Sequence, residues 1–143
     1  MIKPLLVASL LTATTMSSAF AAHPMCGETE LAAVMNDMKD NMKTIKQSFK
    51  AGNTAQVKQA AEELLSNIGK TDSLVPLSIS DDNQLTAEQK RKFEQYQRGM
   101  ATLEQATTEL INANDSDAIK QALANIGKVA KKGHKAFKLD CDD

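Results

Sequence analysis

From residue 31 onward, apolar side chains return every three or four positions, which is the period of a helix with one buried face. The first such run is Leu31, Met35, Met38, Met42, Ile45 and Phe49. Gly52-Asn53 should end it, because glycine accepts the left-handed conformation that closes a helix, and Asn53 or Thr54 can cap the next. The second run carries Val57, Ala61, Leu64 and Ile68 and fades near Thr71. The segment "DSLVPLSISDDNQL" (72–85) has no helical period and reads as a long connection. Thr86 opens a third helix, with Gln89 placed to complete a capping box. Its seam is Phe93, Tyr96, Met100, Leu103, Leu110 and Ile111. "NANDSD" ends it, Asp115 or Ser116 can cap the fourth helix, and the fourth seam is Ile119, Leu123, Ile126, Ala130, Gly133 and Phe137.

Four amphipathic helices with short first and third links predict an all-α fold, an antiparallel up-down-up-down four-helix bundle. The echo between "AQVKQA" (55–60) and "DAIKQA" (117–122), each followed by "NIGK", reads as two similar helix starts. It puts Val57 and Ile119 in equivalent layers.

Composition agrees with this pattern. The 143 residues include one tyrosine and no tryptophan, and the net charge of −1 gives no reason to expect a nucleic-acid partner. The start of the chain, Met1 to Ala22, has a lysine, an apolar run from Leu5 to Leu11 and an Ala19-Phe20-Ala21 ending. That order is a secretory signal peptide, with cleavage expected after Ala21 or Ala22 and no membrane span. The mature domain is then 23–143, exported to the periplasm and expected to be monomeric. The two cysteines, Cys26 and Cys141, lie near opposite ends of the mature chain. In an oxidising compartment an even count reads as a disulfide, and up-down-up-down topology brings the two positions to one end. Two free thiols are the alternative.

Candidate chemistry is sparse. No nucleophile–base pair, carboxylate dyad or glycine-rich phosphate loop is evident, so an enzyme is not expected. On a helical wheel His134 lies roughly 60° from the centre of the fourth seam, on its rim, while the neighbouring lysines lie further round. Met35, Met38 and Met42 face the seam of the first helix. Three methionines and an imidazole are ordinary core and rim residues in most helices, and a copper site is thin on a chain with two histidines. A thioether and an imidazole facing each other across a flat slot are also the axial pair of a low-spin haem.

With these residues in place, the chain resembles the cytochrome b562 family. "DNMKTI" (40–45), "NTAQVKQA" (53–60), "YQRGM" (96–100) and "GHKAFK" (133–138) carry the resemblance across the whole mature chain. It implies a bundle holding one non-covalent haem b and passing single electrons to a periplasmic redox partner that the sequence does not name. The histidine ligand corresponds to His134; His23 sits at the cleavage site. The methionine ligand corresponds to Met42 if the alignment follows "DNMKTI", or to Met38 if it runs ungapped from "NTAQVK". Fifteen residues separate Met42 from Val57 and Ile119 from His134, which favours Met42; Met38 is nearer Cys26 along the helix. Leu31, Met35, Met38, Tyr96, Met100, Ala130 and Phe137 would line the pocket. Ala130 stands where the family can carry arginine, Met100 where a phenylalanine would pack on the porphyrin, and the cysteine-bearing ends are additional. No CxxCH occurs, so covalent attachment is not expected. Lysines beside His134 can pair with haem propionates, pair with an acidic partner or simply face water. The competing reading is a haem-free periplasmic helical bundle, a binding or stress-adaptor protein with the methionines in its core.

Overall fold

A computed structural model describes residues 25–82, 84–139 and 141. The expected signal peptide (1–22) lies outside the described residues. Four helices follow one another: α1 (Glu30–Lys50), α2 (Thr54–Gly69), α3 (Ala87–Asn112) and α4 (Ser116–Phe137). There is no strand among the described residues.

Each start satisfies its orphan N–H groups with a side chain. Thr29 accepts from Ala32 N at 3.1 Å, a cap not anticipated from the sequence. Asn53 caps α2, and Thr86 with Gln89 forms the expected capping box on α3. Asp115 accepts from Asp117 N and Ala118 N at 3.0 and 2.8 Å. Gly52, at φ +72°, closes α1, with its N–H on Phe49 O and the Asn53 N–H on Ser48 O. Those two bonds form a Schellman ending, which reverses the chain within three residues.

The seams bury a continuous core. Ile45, Val57, Ala61 and Leu110 have no exposed surface, and Leu64, Ile68 and Ile126 have almost none. The expected seams hold, with small rotations: Val34 and Ser48 are buried on α1, Ala106 and Thr107 on α3, and Ala122 on α4, where Leu123 is only partly covered. The long connection is less passive than its sequence implied. Ile79 is 8 % exposed, Leu74 and Val75 pack on the core, and the Gln89 side chain donates to Ile79 O at 3.0 Å. The loop thereby covers one end of the bundle.

Side-chain bonds give the register. Asn67 donates to Asn41 at 2.8 Å and Asn41 to Glu63 at 3.2 Å, tying α1 to α2 running the opposite way. Gln97 donates to Asp72 O at 2.8 Å just beyond the end of α2. The Tyr96 ring meets Phe137 edge-on at 5.6 Å, tying α3 to α4. Cys26 and Cys141, 115 residues apart, are joined by a disulfide with Cα atoms 5.6 Å apart. Closing a loop of that length stabilises the fold by about 5 kcal/mol in the chain-entropy model.

Candidate functional site

The helices do not pack as a closed square. Backbones approach within 8 Å between α1 and α2, α2 and α3, and α3 and α4, but not between α1 and α4. Helices in direct ridge-and-groove contact have axes about 8–10 Å apart, so the α1–α4 edge is wider than the other three. The sequence made these two helices neighbours in an up-down-up-down bundle, with a thioether and an imidazole able to face each other across a flat slot.

The side chains bordering this edge follow from helical phase. With Met38 as reference, Asn41 and Ser48 fall roughly 60–80° to one side, and Met42 and Met35 roughly 40–60° to the other. Asn41 bonds to α2, so Met35 and Met42 occupy the opposite rim, towards α4. Both are partly buried against the core, whereas Met38 is only 7 % exposed. On α4, with Ile126 as reference, Ala118 and Ala122 fall roughly 40–80° to one side and line a groove shared with α3. Ala130, Leu123 and His134 fall roughly 40–80° to the other side, towards α1. Ala130 and Phe137 are half-buried, and His134 is exposed, further out than its rim phase alone implied.

Height along the bundle comes from the same register. Asn41 sits opposite the middle of the Glu63–Asn67 turn, which puts Met38 level with Ile68 and Met42 about 6 Å deeper, one turn down. Tyr96 lies beside Thr71 and Asp72 at the end of α2. One turn below Tyr96 is Met100, and one turn below Phe137 is the Gly133-His134 pair. Met38, Ile68, Met100 and His134 therefore share a layer. Side chains lean towards the start of their own helix. Met42 thus leans up towards that layer and His134 leans down from it, so the two converge; Met38 leans away.

Space is present beside His134. Gly133 points roughly at the bundle axis, yet a methyl group there would meet no atom within 4 Å. The wall nearby is aromatic and thioether: Phe93 stacks on Tyr96 at 6.0 Å, Phe137 crosses Tyr96, and Met100 is 8 % exposed. Leu31, 9 % exposed, belongs to the same core. Tyr96 is 5 % exposed and its hydroxyl has no hydrogen-bond partner. Burial raises its pKa above the ordinary value; the Thr71 hydroxyl lowers it in part and the charge of Asp72 raises it further. Because Thr71 already donates its proton to Ile68 O at 2.7 Å, burial dominates. The loop over this end and the unpaired phenol had no warning in the sequence pattern.

Among the described residues no three His, Cys, Asp or Glu side chains cluster as a metal site, and no helix is long and apolar enough to cross a membrane. The arrangement is a widened α1–α4 edge with Met35 and Met42 on one rim and the exposed imidazole of His134 on the other. In comparison with known proteins, the cytochrome b562 family model matches residues 30–138. No curated protein and no solved structure matches the chain.

Proposed function

Since the chain belongs to the cytochrome b562 family, whose members carry electrons and are not enzymes in the usual sense, we propose that it is a periplasmic electron carrier holding one haem b in the α1–α4 slot. His134 and Met42 are the axial ligands in this reading, with Met38 the alternative to Met42. The observation that carries it is the open α1–α4 edge, bordered by methionine on one rim and histidine on the other. The residues fit the group in three respects. The donor set is one imidazole and one thioether, the space before Gly133 is free, and Tyr96, Met100 and Phe137 present flat or polarizable surface. When bound, the haem iron supplies a reversible one-electron couple, and a methionine opposite a histidine raises its potential.

The protein's own part is to position and to exclude. Met42 and His134 lean towards each other from opposite helices; together they would hold the haem iron, and with both donors supplied by the chain the group would serve electron transfer rather than binding of substrate or oxygen. Leu31, Met35, Met38 and Ala130 complete an apolar lining that keeps water from the slot. Lys131 and Lys135, exposed beside His134, supply positive charge for haem carboxylates or an acidic partner surface. Export by the leader at 1–22 supplies the periplasmic location and the oxidised cysteines. The chain acts as a monomer in this reading.

The test is a haemin titration followed by absorption spectra of the oxidised and dithionite-reduced protein. Stoichiometric uptake with sharp low-spin bands is expected, and His134→Ala should abolish them. Met42→Ala should convert the reduced form to high spin while Met38→Ala keeps it low-spin; the reverse result would make Met38 the ligand. A folded, disulfide-bonded protein that takes up no haem would overturn the proposal.

A further inference from the structure

We propose that Cys26 and Cys141 are positioning residues of the haem site, a latch across the open α1–α4 edge whose reduction by a dithiol releases the bound group. The proposal rests on the haem reading above. Three edges of the bundle are closed by packing, and the fourth, which bears both proposed ligands, is not. Asn41, Asn67 and Glu63 bind α1 to α2. The end of α4 is held from the other side, by Tyr96 on Phe137 and by the Ser78 hydroxyl donating to Phe137 O at 2.6 Å. The four helices therefore pack in chain order, with α1 and α4 flanking the one edge that packing does not close. The disulfide joins the free end of α1 to the free end of α4, at the end of the slot where His134 lies.

A ligand gripped by donors on two separate elements depends on how closely those elements are tethered, because the second donor then acts at a high effective concentration. Opening the latch leaves three packed edges and the buried core in place but lets the imidazole and the thioether drift apart. Cys141 is exposed, so a dithiol can reach the bridge. Its thiolate attacks one sulfur and forms a mixed disulfide, its second thiol closes the reductant's own ring, and both cysteines leave as thiols. Two electrons and two protons pass from reductant to protein.

The experiment compares haemin-loaded wild type, the same protein treated with dithiothreitol, and the Cys26→Ser/Cys141→Ser variant. Haem transfer to excess apomyoglobin is followed well below the unfolding temperature, with helix content read by circular dichroism. Reduction or double substitution should speed transfer by about tenfold or more and move the reduced spectrum towards high spin; reoxidation of the wild type should restore both. Leu110→Ala, a core change at the far end of the bundle, serves as the control for general destabilisation. If the unbridged variant is unfolded in buffer, the comparison is run for all proteins in concentrated sucrose, which favours the compact state. Equal transfer rates with and without the bridge would overturn the latch and leave the haem reading standing, as would equal acceleration by Leu110→Ala. Wild type that takes up no haem would overturn both.

Discussion

Replacing Tyr96 with phenylalanine should stabilise the haem-free protein, although the position is at the centre of an aromatic cluster. The phenol is 5 % exposed and its oxygen has no hydrogen-bond partner. A buried hydroxyl without a partner costs about 1–3 kcal/mol relative to its hydrated state. Phenylalanine removes the oxygen, keeps the ring and both ring contacts, and leaves a gap smaller than a methyl group, so a net gain of about 1 kcal/mol is expected. The same burial raises the phenol's pKa above 10.0 in the folded state. The sign of the pH dependence follows. Below the unfolded value both states are protonated and the contribution is intact. As pH rises above 10.0 the unfolded chain loses its proton first, so the unfolded state is favoured and stability falls until the folded phenol also ionises. The wild type should therefore lose stability above that pH faster than Tyr96→Phe, which differs from it only in lacking the phenol hydroxyl. Urea unfolding by circular dichroism at a series of alkaline pH values measures the difference. The chain has one tyrosine and no tryptophan, so near-ultraviolet phenolate absorbance reports Tyr96 alone. A variant less stable than wild type by about 1 kcal/mol would mean that the hydroxyl has a good partner. A phenolate titrating at its ordinary value would mean that it meets water. Either result refutes the reasoning.

Other perturbations have equally direct readings. Ile126→Ala removes a side chain 1 % exposed and should cost about 2–5 kcal/mol in urea unfolding. Asp115→Ala deletes the cap that holds two N–H groups of α4 and should cost about 1 kcal/mol in the same assay, with asparagine recovering most of it. Gly52→Ala forces a side chain into φ +72° and should cost about 1–2 kcal/mol by thermal unfolding, although a Cβ there would touch nothing within 4 Å.

The seams, the caps at Asn53, Thr86 and Asp115, and the Gly52 ending were legible because each depends on residues within a turn or two of one another. A helix forms wherever an apolar stripe repeats at its own period, whatever it later packs against. The cysteine pairing was legible for a different reason: two cysteines leave one partner each, and alternating helix directions bring the chain's ends together. His134 and the methionines could be named as candidates because their helical phase puts them on or beside the seams and the residues around them resemble the cytochrome b562 family.

What periodicity could not supply was distance between helices. A wheel assigns Met38 and Met42 to one seam but cannot say which rim faces α4. That was settled by Asn41, whose bonds to Asn67 and Glu63 fix the α2 side of α1. Nor could local pattern reveal that Ile79 in a loop would enter the core, or that Tyr96 would be buried with its hydroxyl unpaired. The sequence by itself determined four amphipathic helices, their order, their ends and the single possible disulfide, because propensity, capping and phase act along the chain. Only the tertiary structure decided that α1 and α4 stand apart, bridged at one end by Cys26 and Cys141. The separation of two helices depends on side chains packing from every element at once, and those residues are distant in sequence.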